Sequence, residues 1–314
     1  MNTLNQNNIY LKLLKGGATR KYRDIIASAV KDTINLNFPL NIESLDSETK
    51  DVIETLHKDG LKIFESYLNA DFLSSILKKL EKLELTFSDR TSGADIAKGS
   101  SLVHLDKYPH LLGHYNSSDL LNIEEIESLV NNPSLYLIPL AYFGCIPTLS
   151  TVSSWWSHPT EKSEGAQLFH QDRADFLSLN FFIYLTDVDE NAGAHEFCPK
   201  THTFENLKSL ISYKNIDEDN FWAWWEASHR KSDKDVTSLF DIKTITGQAG
   251  SAFFEDTRGL HRGLIPKNKS RLVLEFVWTL VPQFNSALKP VKAIKTTDNL
   301  AAYINRLAYN YERT

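Results

Sequence analysis

Cysteine is nearly absent: Cys145 and Cys198 are the only two in 314 residues. One pair cannot build the disulfide framework of a small secreted protein. With the nearby histidines they make no zinc-type cluster, so both are expected as reduced thiols of a cytoplasmic protein. Long apolar runs are missing as well. The most hydrophobic stretch, residues 135–149, is interrupted by Pro139, Gly144 and Pro147 and is too short to span a bilayer, and no secretory apolar segment opens the chain. Nor does one sign of charge dominate. With 34 basic and 40 acidic residues the balance is −6, which gives no field to draw the chain to nucleic acid or to an anionic membrane. Repeats and low-complexity linkers are absent too. What remains, 42% hydrophobic and 24% charged residues, is the composition of a folded domain with a sizeable core. Its partner is expected to be a small molecule, and the protein a monomer or homodimer.

The order of patterns along the chain divides it into three parts. Residues 1–41 hold Lys12, Lys15, Arg20, Lys21 and Arg23 ahead of the first acidic residue, Asp24, and read as a solvated N-terminal extension. Residues 42–90 read as helical, with "SETKDVIETLHKDG" closing at an Asp-Gly turn, "LKIFESYL" as a short strand, and a helix starting after Asn69. Residues 91–118 read as loop, and 119–133 as a helix stopped before Pro133. From 134 the pattern becomes short apolar strands: "LYLIPLAYFG", "LSTVSSWW", "LSLNFFIYLTDV", "AHEFCP", "GSAFFED" and "RLVLEFVWTLV". A Trp-rich helical insertion interrupts them at about 205–240, and 283–314 reads as a helical tail. The expected fold is mainly β with flanking helices, a sandwich or barrel core of residues 42–282 behind a helical N-terminal part.

Three His-x-Asp pairs occur, His57-Asp59, His104-Asp106 and His170-Asp172, so the motif alone carries little weight. The third differs in context. It stands at the mouth of a strand-like run, where alternate positions point both side chains the same way. A facial triad of two histidines and a carboxylate holds Fe(II) on one side and leaves the other side open. His261, following "GSAFFED", supplies a third ligand. Arg271, at the start of the next strand, offers a planar fork for the distal carboxylate of a small diacid such as 2-oxoglutarate. Trp155, Trp156, Trp222 and Trp225 are candidate walls of a substrate pocket. His195 and His202 are expected to be structural, and Asp175 and Asn180 to orient the ligating histidines.

These stretches resemble the phytanoyl-CoA dioxygenase family of iron(II)- and 2-oxoglutarate-dependent oxygenases over about residues 50–282. "LHKDGLKIFESYLNADFLSSILKKL" is similar to the family's opening segment, "HQD" to its metal motif, "DENAGAHEFCPKTH" to its Asn-x-Gly turn and Pro-x-x-His, and "GSAFFEDTRGLHRG" with Arg271 to its closing segment. The resemblance implies a double-stranded β-helix, also called a jelly roll or cupin-like core. It also implies iron held by His170, Asp172 and His261, with 2-oxoglutarate anchored by Arg271. The implied reaction uses O2 to hydroxylate an unactivated C–H bond and releases succinate and CO2. Halogenases of this fold lack the motif carboxylate, and Asp172 is present. Lys200 stands where the family usually has Gly. Gly263 stands where some relatives have a hydroxyl beside the arginine, so a second contact is expected elsewhere, with Tyr184 the candidate. The alternatives are a non-catalytic β-helix protein and a metal protein that does not use 2-oxoglutarate. The sequence does not name the substrate.

Overall fold

The computed structural model describes residues 10–14, 18–40, 45–88, 112–159, 165–283, 288–295 and 297–311, and the backbone of 95–100. In chain order the strands are β1 (Leu61–Phe64), β2 (Glu84–Ser88), β3 (Asp95–Ser100), β4 (Leu112–Tyr115), β5 (Thr148–Ser157), β6 (Ser178–Tyr184), β7 (His195–Phe197), β8 (Lys243–Ile245), β9 (Ala252–Glu255), β10 (His261–Gly263), β11 (Arg271–Thr279), β12 (Val291–Lys292) and β13 (Tyr309–Asn310). The helices are α1 (Arg20–Asn37), α2 (Ser47–Asp59), α3 (Ala70–Leu80), α4 (Ser117–Leu121), α5 (Glu124–Val130), α6 (Pro133–Phe143), α7 (Phe204–Tyr213), α8 (Glu218–Ala227), α9 (Asp233–Leu239) and α10 (Asn299–Ile304).

Two antiparallel sheets share the core. The larger runs β1-β9-β6-β11-β5-β4-β2-β3 and the smaller β10-β7-β8, while His170 bridges to His261 beside β10. From β5 onward the chain alternates between them. β5 lies in the large sheet, the His170 bridge in the small one, β6 in the large, β7 and β8 in the small, β9 in the large, β10 in the small and β11 in the large. Phe182, Tyr184, Phe253 and Val273 from one sheet and Ala194, Phe197 and Ile245 from the other bury a common apolar cluster. A larger cluster on the outer face of the large sheet packs it against α2, α3, α5 and α6.

Local signals explain the helices that the sequence exposed. Asp46 caps α2 by accepting from the Thr49 amide at 2.7 Å, and Asn69 caps α3 from Phe72 at 2.9 Å. Gly60 ends α2 in the left-handed region, φ 78°, and a Cβ there would sit 2.6 Å from His202 Nδ1 and 2.9 Å from the Phe197 ring. Gly60→Ala is therefore expected to lower unfolding stability by at least about 2 kcal/mol, measured by denaturant titration, because left-handed backbone strain adds to a clash with buried rings.

Several expectations give way. Among the described residues more lie in helix than in strand, so the fold is mixed rather than mainly β. "LYLIPLAYFG" is not a strand but α6, capped by Asn132 and closed by Gly144 at φ 64°. It is apolar on nearly every side because it is buried nearly all round, which erases the amphipathic period. Pro133 starts this helix rather than stopping the one before it, its missing N–H costing nothing at a helix's first position. Within 84–115, β2, β3 and β4 replace the expected helix and loop.

Residues 10–14 and 18–40 do not form a solvated extension. Arg20 and Arg23 are buried, and Arg23 donates to the carbonyls of Leu14 and Asp175 at 2.6 and 3.2 Å. Asp24 joins α1 to the core through Arg258 at 3.2 Å and the Phe204 amide at 2.7 Å. Behind it lies the buried pair Arg258–Asp256, whose guanidinium holds the Asp256 carboxyl down at about 2 against the upward push of burial. Among the described residues the expected helical tail contains one short helix, α10, followed by a turn and β13, which pairs in parallel with β12. Asn305 and Arg306 tie it to Val130 and Thr148. No helix among the described residues is long and apolar enough to cross a membrane.

Candidate metal centre and cavity

His170 and His261 face each other across a reciprocal pair of backbone hydrogen bonds, 2.9 and 3.0 Å, with ring centroids 4.2 Å apart. The expected strand placement of His170 and Asp172 is corrected here: both precede β6 in irregular chain. Cross-chain bonds hold that segment instead. Asp172 N donates to Thr257 O at 2.8 Å, Gln171 N to His229 O at 3.0 Å, and Lys231 N to Phe169 O at 2.8 Å. Residues 229–231, the exit of the Trp-rich insertion, thus brace the His170 segment from outside.

Both imidazoles are oriented by backbone. His170 Nδ1 lies 2.8 Å from Leu168 O and His261 Nδ1 3.0 Å from Gly259 O, which places the proton on Nδ1 and turns the Nε2 lone pair toward Asp172. The Asp172 oxygens lie 3.5 Å from His170 Nε2 and 3.7 Å from His261 Nε2, and one ligand atom from each residue falls within 4.8 Å of the others. Ligands at about 2.1 Å from one ion stand about 3 to 4 Å apart, so the two Asp172–imidazole distances suit a divalent transition metal. Burial alone would raise the Asp172 carboxyl, but the positive charge of the His261 and His170 rings when protonated, with hydrogen bonds from His170 and Thr257, pulls it down to about 2, so the site favours an anion beside a cation. Asp175 and Asn180 do not orient the histidines. Asp175 accepts from the Val281 and Phe176 amides, and Asn180 bonds Thr257 and Glu275.

The three residues open onto a cavity of about 450 Å³ that Arg271 also lines. Arg271 is only 6% exposed, has no carboxylate partner among the described residues, and its Nε has no hydrogen-bond acceptor. Its Nη1 donates to Gly193 O and Tyr184 lies alongside, so the backbone and a phenol fix the fork while part of it stays unsatisfied. Gly263 makes room for it, since a Cβ there would meet Arg271 Nη2 at 3.0 Å. Tyr184 does not line the cavity. Its hydroxyl donates to Ile245 O at 2.9 Å and accepts from His195 N at 3.1 Å, joining the two sheets behind the guanidinium.

Of the tryptophans, Trp155 lines the cavity. Trp156 instead stacks on His158 and donates to Tyr115. Trp225 is buried in the core of the insertion with Phe221 and Phe240, Trp222 stacks on Phe204 at 4.8 Å, and neither is among the residues lining this cavity. His57 stacks on Tyr142 away from the centre, and His104-Asp106 lies outside the described residues. His202 bonds the His57 carbonyl, and Arg262 turns to Glu196 and Asp233. Cys145 and Cys198 are buried and free, with burial pushing the thiols up to about 11 and about 12.

Sequence reasoning missed three residues. His195 lines the cavity with Nε2 2.8 Å from Glu255, poorly aligned for a hydrogen bond; burial, with Arg271 nearby, lowers it to about 3, so it is neutral. Glu255 is wholly buried behind His261 and burial raises it to about 8. Glu275 lines the cavity from β11. Its parity with Arg271, four positions earlier on the same strand, is a signal the sequence did contain.

No family model matches the chain, and no curated protein matches it in sequence. Solved structures do match in part. The epimerase SnoN in complex with Fe3+, alpha ketoglutarate and nogalamycin RO is 14% identical, with 74% of this chain and 83% of that one covered and a TM-score of 0.47. HygX from Streptomyces hygroscopicus, with nickel and 2-oxoglutarate bound, is 11% identical over 80% and 93% at 0.47. EvdO2 from Micromonospora carbonacea var. aurantiaca, complexed with 2-oxoglutarate, is 14% identical over 76% and 92% at 0.46. Likeness this loose transfers neither residues nor roles.

Proposed function

We propose that this protein is an Fe(II)- and 2-oxoglutarate-dependent oxygenase that hydroxylates a small molecule, using O2 and releasing succinate and CO2. One observation carries the reading: a buried arginine with no carboxylate partner among the described residues shares a cavity with a preorganised His-Asp-His set. A metal protein without a diacid co-substrate has no use for such an arginine, because an unpaired buried guanidinium costs several kcal/mol. The alternation of the chain between two sheets from β5 to β11 supports a double-stranded β-helix core, with the site between the sheets.

His170, Asp172 and His261 would hold the iron, two neutral imidazoles and one carboxylate leaving its other positions free. Arg271 would take the distal carboxylate of 2-oxoglutarate through Nε and the adjacent Nη2, with Tyr184 bracing the fork rather than touching the co-substrate. When bound, the iron and its co-substrate supply the oxidising power that breaks the C–H bond. The chain's own part is placement. The fixed Nδ1 protons keep the ligands in one tautomer, the arginine fixes the orientation of the diacid, and Trp155 and Phe182 form apolar walls that exclude water.

Oxygen uptake and succinate formation measured together test the reading: wild type with Fe(II) should form succinate only when 2-oxoglutarate and O2 are both supplied. Oxygen uptake indifferent to 2-oxoglutarate would favour a cupin-like metal protein instead. Gly263→Ala adds the crowding Cβ beside Arg271 and is expected to raise half-saturating 2-oxoglutarate about threefold to tenfold, read from the same assay, with metal affinity unchanged.

A further inference from the structure

Glu275 stands on the same face of β11 as Arg271, four residues on and so about 13 Å along the strand. Its two oxygens are held by neutral donors, Oε2 by Ser153 Oγ at 2.7 Å and Oε1 by Asn180 Nδ2 at 2.8 Å. Asn180 is held in turn by Thr257, whose carbonyl receives the Asp172 amide, so the carboxylate is rigidly tied to the ligand segment. No cation pairs with it among the described residues, and Arg271 is the one arginine or lysine of those lining the cavity. Burial pushes its carboxyl up to about 7 despite both hydrogen bonds, and the charges of Asp172 and Glu255 push the same way.

The charges of the proposed complex balance without it. A dication and Arg271 offset Asp172 and a dianionic co-substrate, so Glu275, once ionised as at pH 8, carries a charge that nothing else among the described residues of the cavity compensates. Phe182, its cross-strand neighbour, and Trp155 add aromatic surface to the same cavity. A fixed carboxylate beside aromatic rings is the chemistry that recognises an organic cation.

We propose that Glu275 is the substrate-recognition residue of this cavity and that the substrate carries a protonated amine. The assignment deepens the oxygenase reading and rests on it. A neutral hydroxyl would add only another neutral donor to those already in place, whereas an ammonium supplies the missing charge.

The test is calorimetric titration of anaerobic protein loaded with Fe(II) and 2-oxoglutarate, using three probes of one shape: cyclohexylammonium, cyclohexanol and cyclohexanecarboxylate. Wild type is expected to bind the ammonium at least about tenfold more tightly than the alcohol and to reject the carboxylate. Glu275→Gln should lose that preference and Glu275→Asp should keep it. Thermal unfolding at pH 8 checks the fold of both. Equal or tighter binding of either other probe by wild type, no heat with the ammonium at tens of millimolar, or a preference that survives in Glu275→Gln would each overturn the assignment. A parallel 2-oxoglutarate titration separates the two levels. Wild type that prefers the ammonium but takes up no 2-oxoglutarate would sink the oxygenase reading and leave Glu275 only as a cation-binding residue of the cavity.

Discussion

Asp172→Ala is expected to lower Fe(II) affinity at least about a hundredfold and to abolish succinate formation, measured by metal titration and turnover on the same preparation. The carboxylate lies 3.5 and 3.7 Å from the two Nε2 atoms and is the only anion of the set. Without it a dication meets two neutral imidazoles and an uncompensated positive charge. Asp172 contributes to the local fold through its backbone amide on Thr257, which the substitution leaves in place, and through a side-chain hydrogen bond from Thr257, which it removes. The variant should therefore unfold within about 3 kcal/mol of the metal-free wild type at pH 7. A large loss of stability with metal affinity retained would mean that Asp172 is a structural carboxylate.

Arg271→Ala carries the second large effect. The lost interaction is a charge-assisted fork in a buried site, worth about 3 to 4 kcal/mol, so half-saturating 2-oxoglutarate should rise about a hundredfold to a thousandfold while Fe(II) affinity stays within about threefold of wild type. Arg271→Lys should recover only part of the loss, because a point charge cannot reproduce the planar geometry braced by Gly193 O and Tyr184. An equal loss of metal and co-substrate binding would place Arg271 in the fold rather than in the binding site.

How much of this was legible depended on how local each cause is. Gly60 and Asn69 act within one helical turn and could be read directly. His261 and Arg271 could be read because an apolar strand pattern stands beside each and their chemistry is distinctive. The support of His170 and Asp172 could not, because it comes from backbone groups of Thr257, His229 and Lys231 rather than from a strand of their own. Arg20 and Arg23 read as a solvated basic segment because their burial depends on groups remote in sequence, such as the Asp175 carbonyl that Arg23 meets 152 positions away. Helix α6 was misread because a segment buried nearly all round shows no periodicity that separates helix from strand. The tryptophans misled for a related reason: an aromatic-rich helix signals burial, and the surface it buries against, here Phe221 and Phe240, lies within the insertion itself.

The most direct test of the central claim is an anaerobic titration of wild-type protein with Fe(II) and then 2-oxoglutarate, following the weak visible absorption of the iron–2-oxoglutarate complex. The band should grow with the co-substrate and saturate at one equivalent per chain. Iron bound with no band at any 2-oxoglutarate concentration would contradict it, leaving Arg271 without the diacid that its burial and unsatisfied Nε call for.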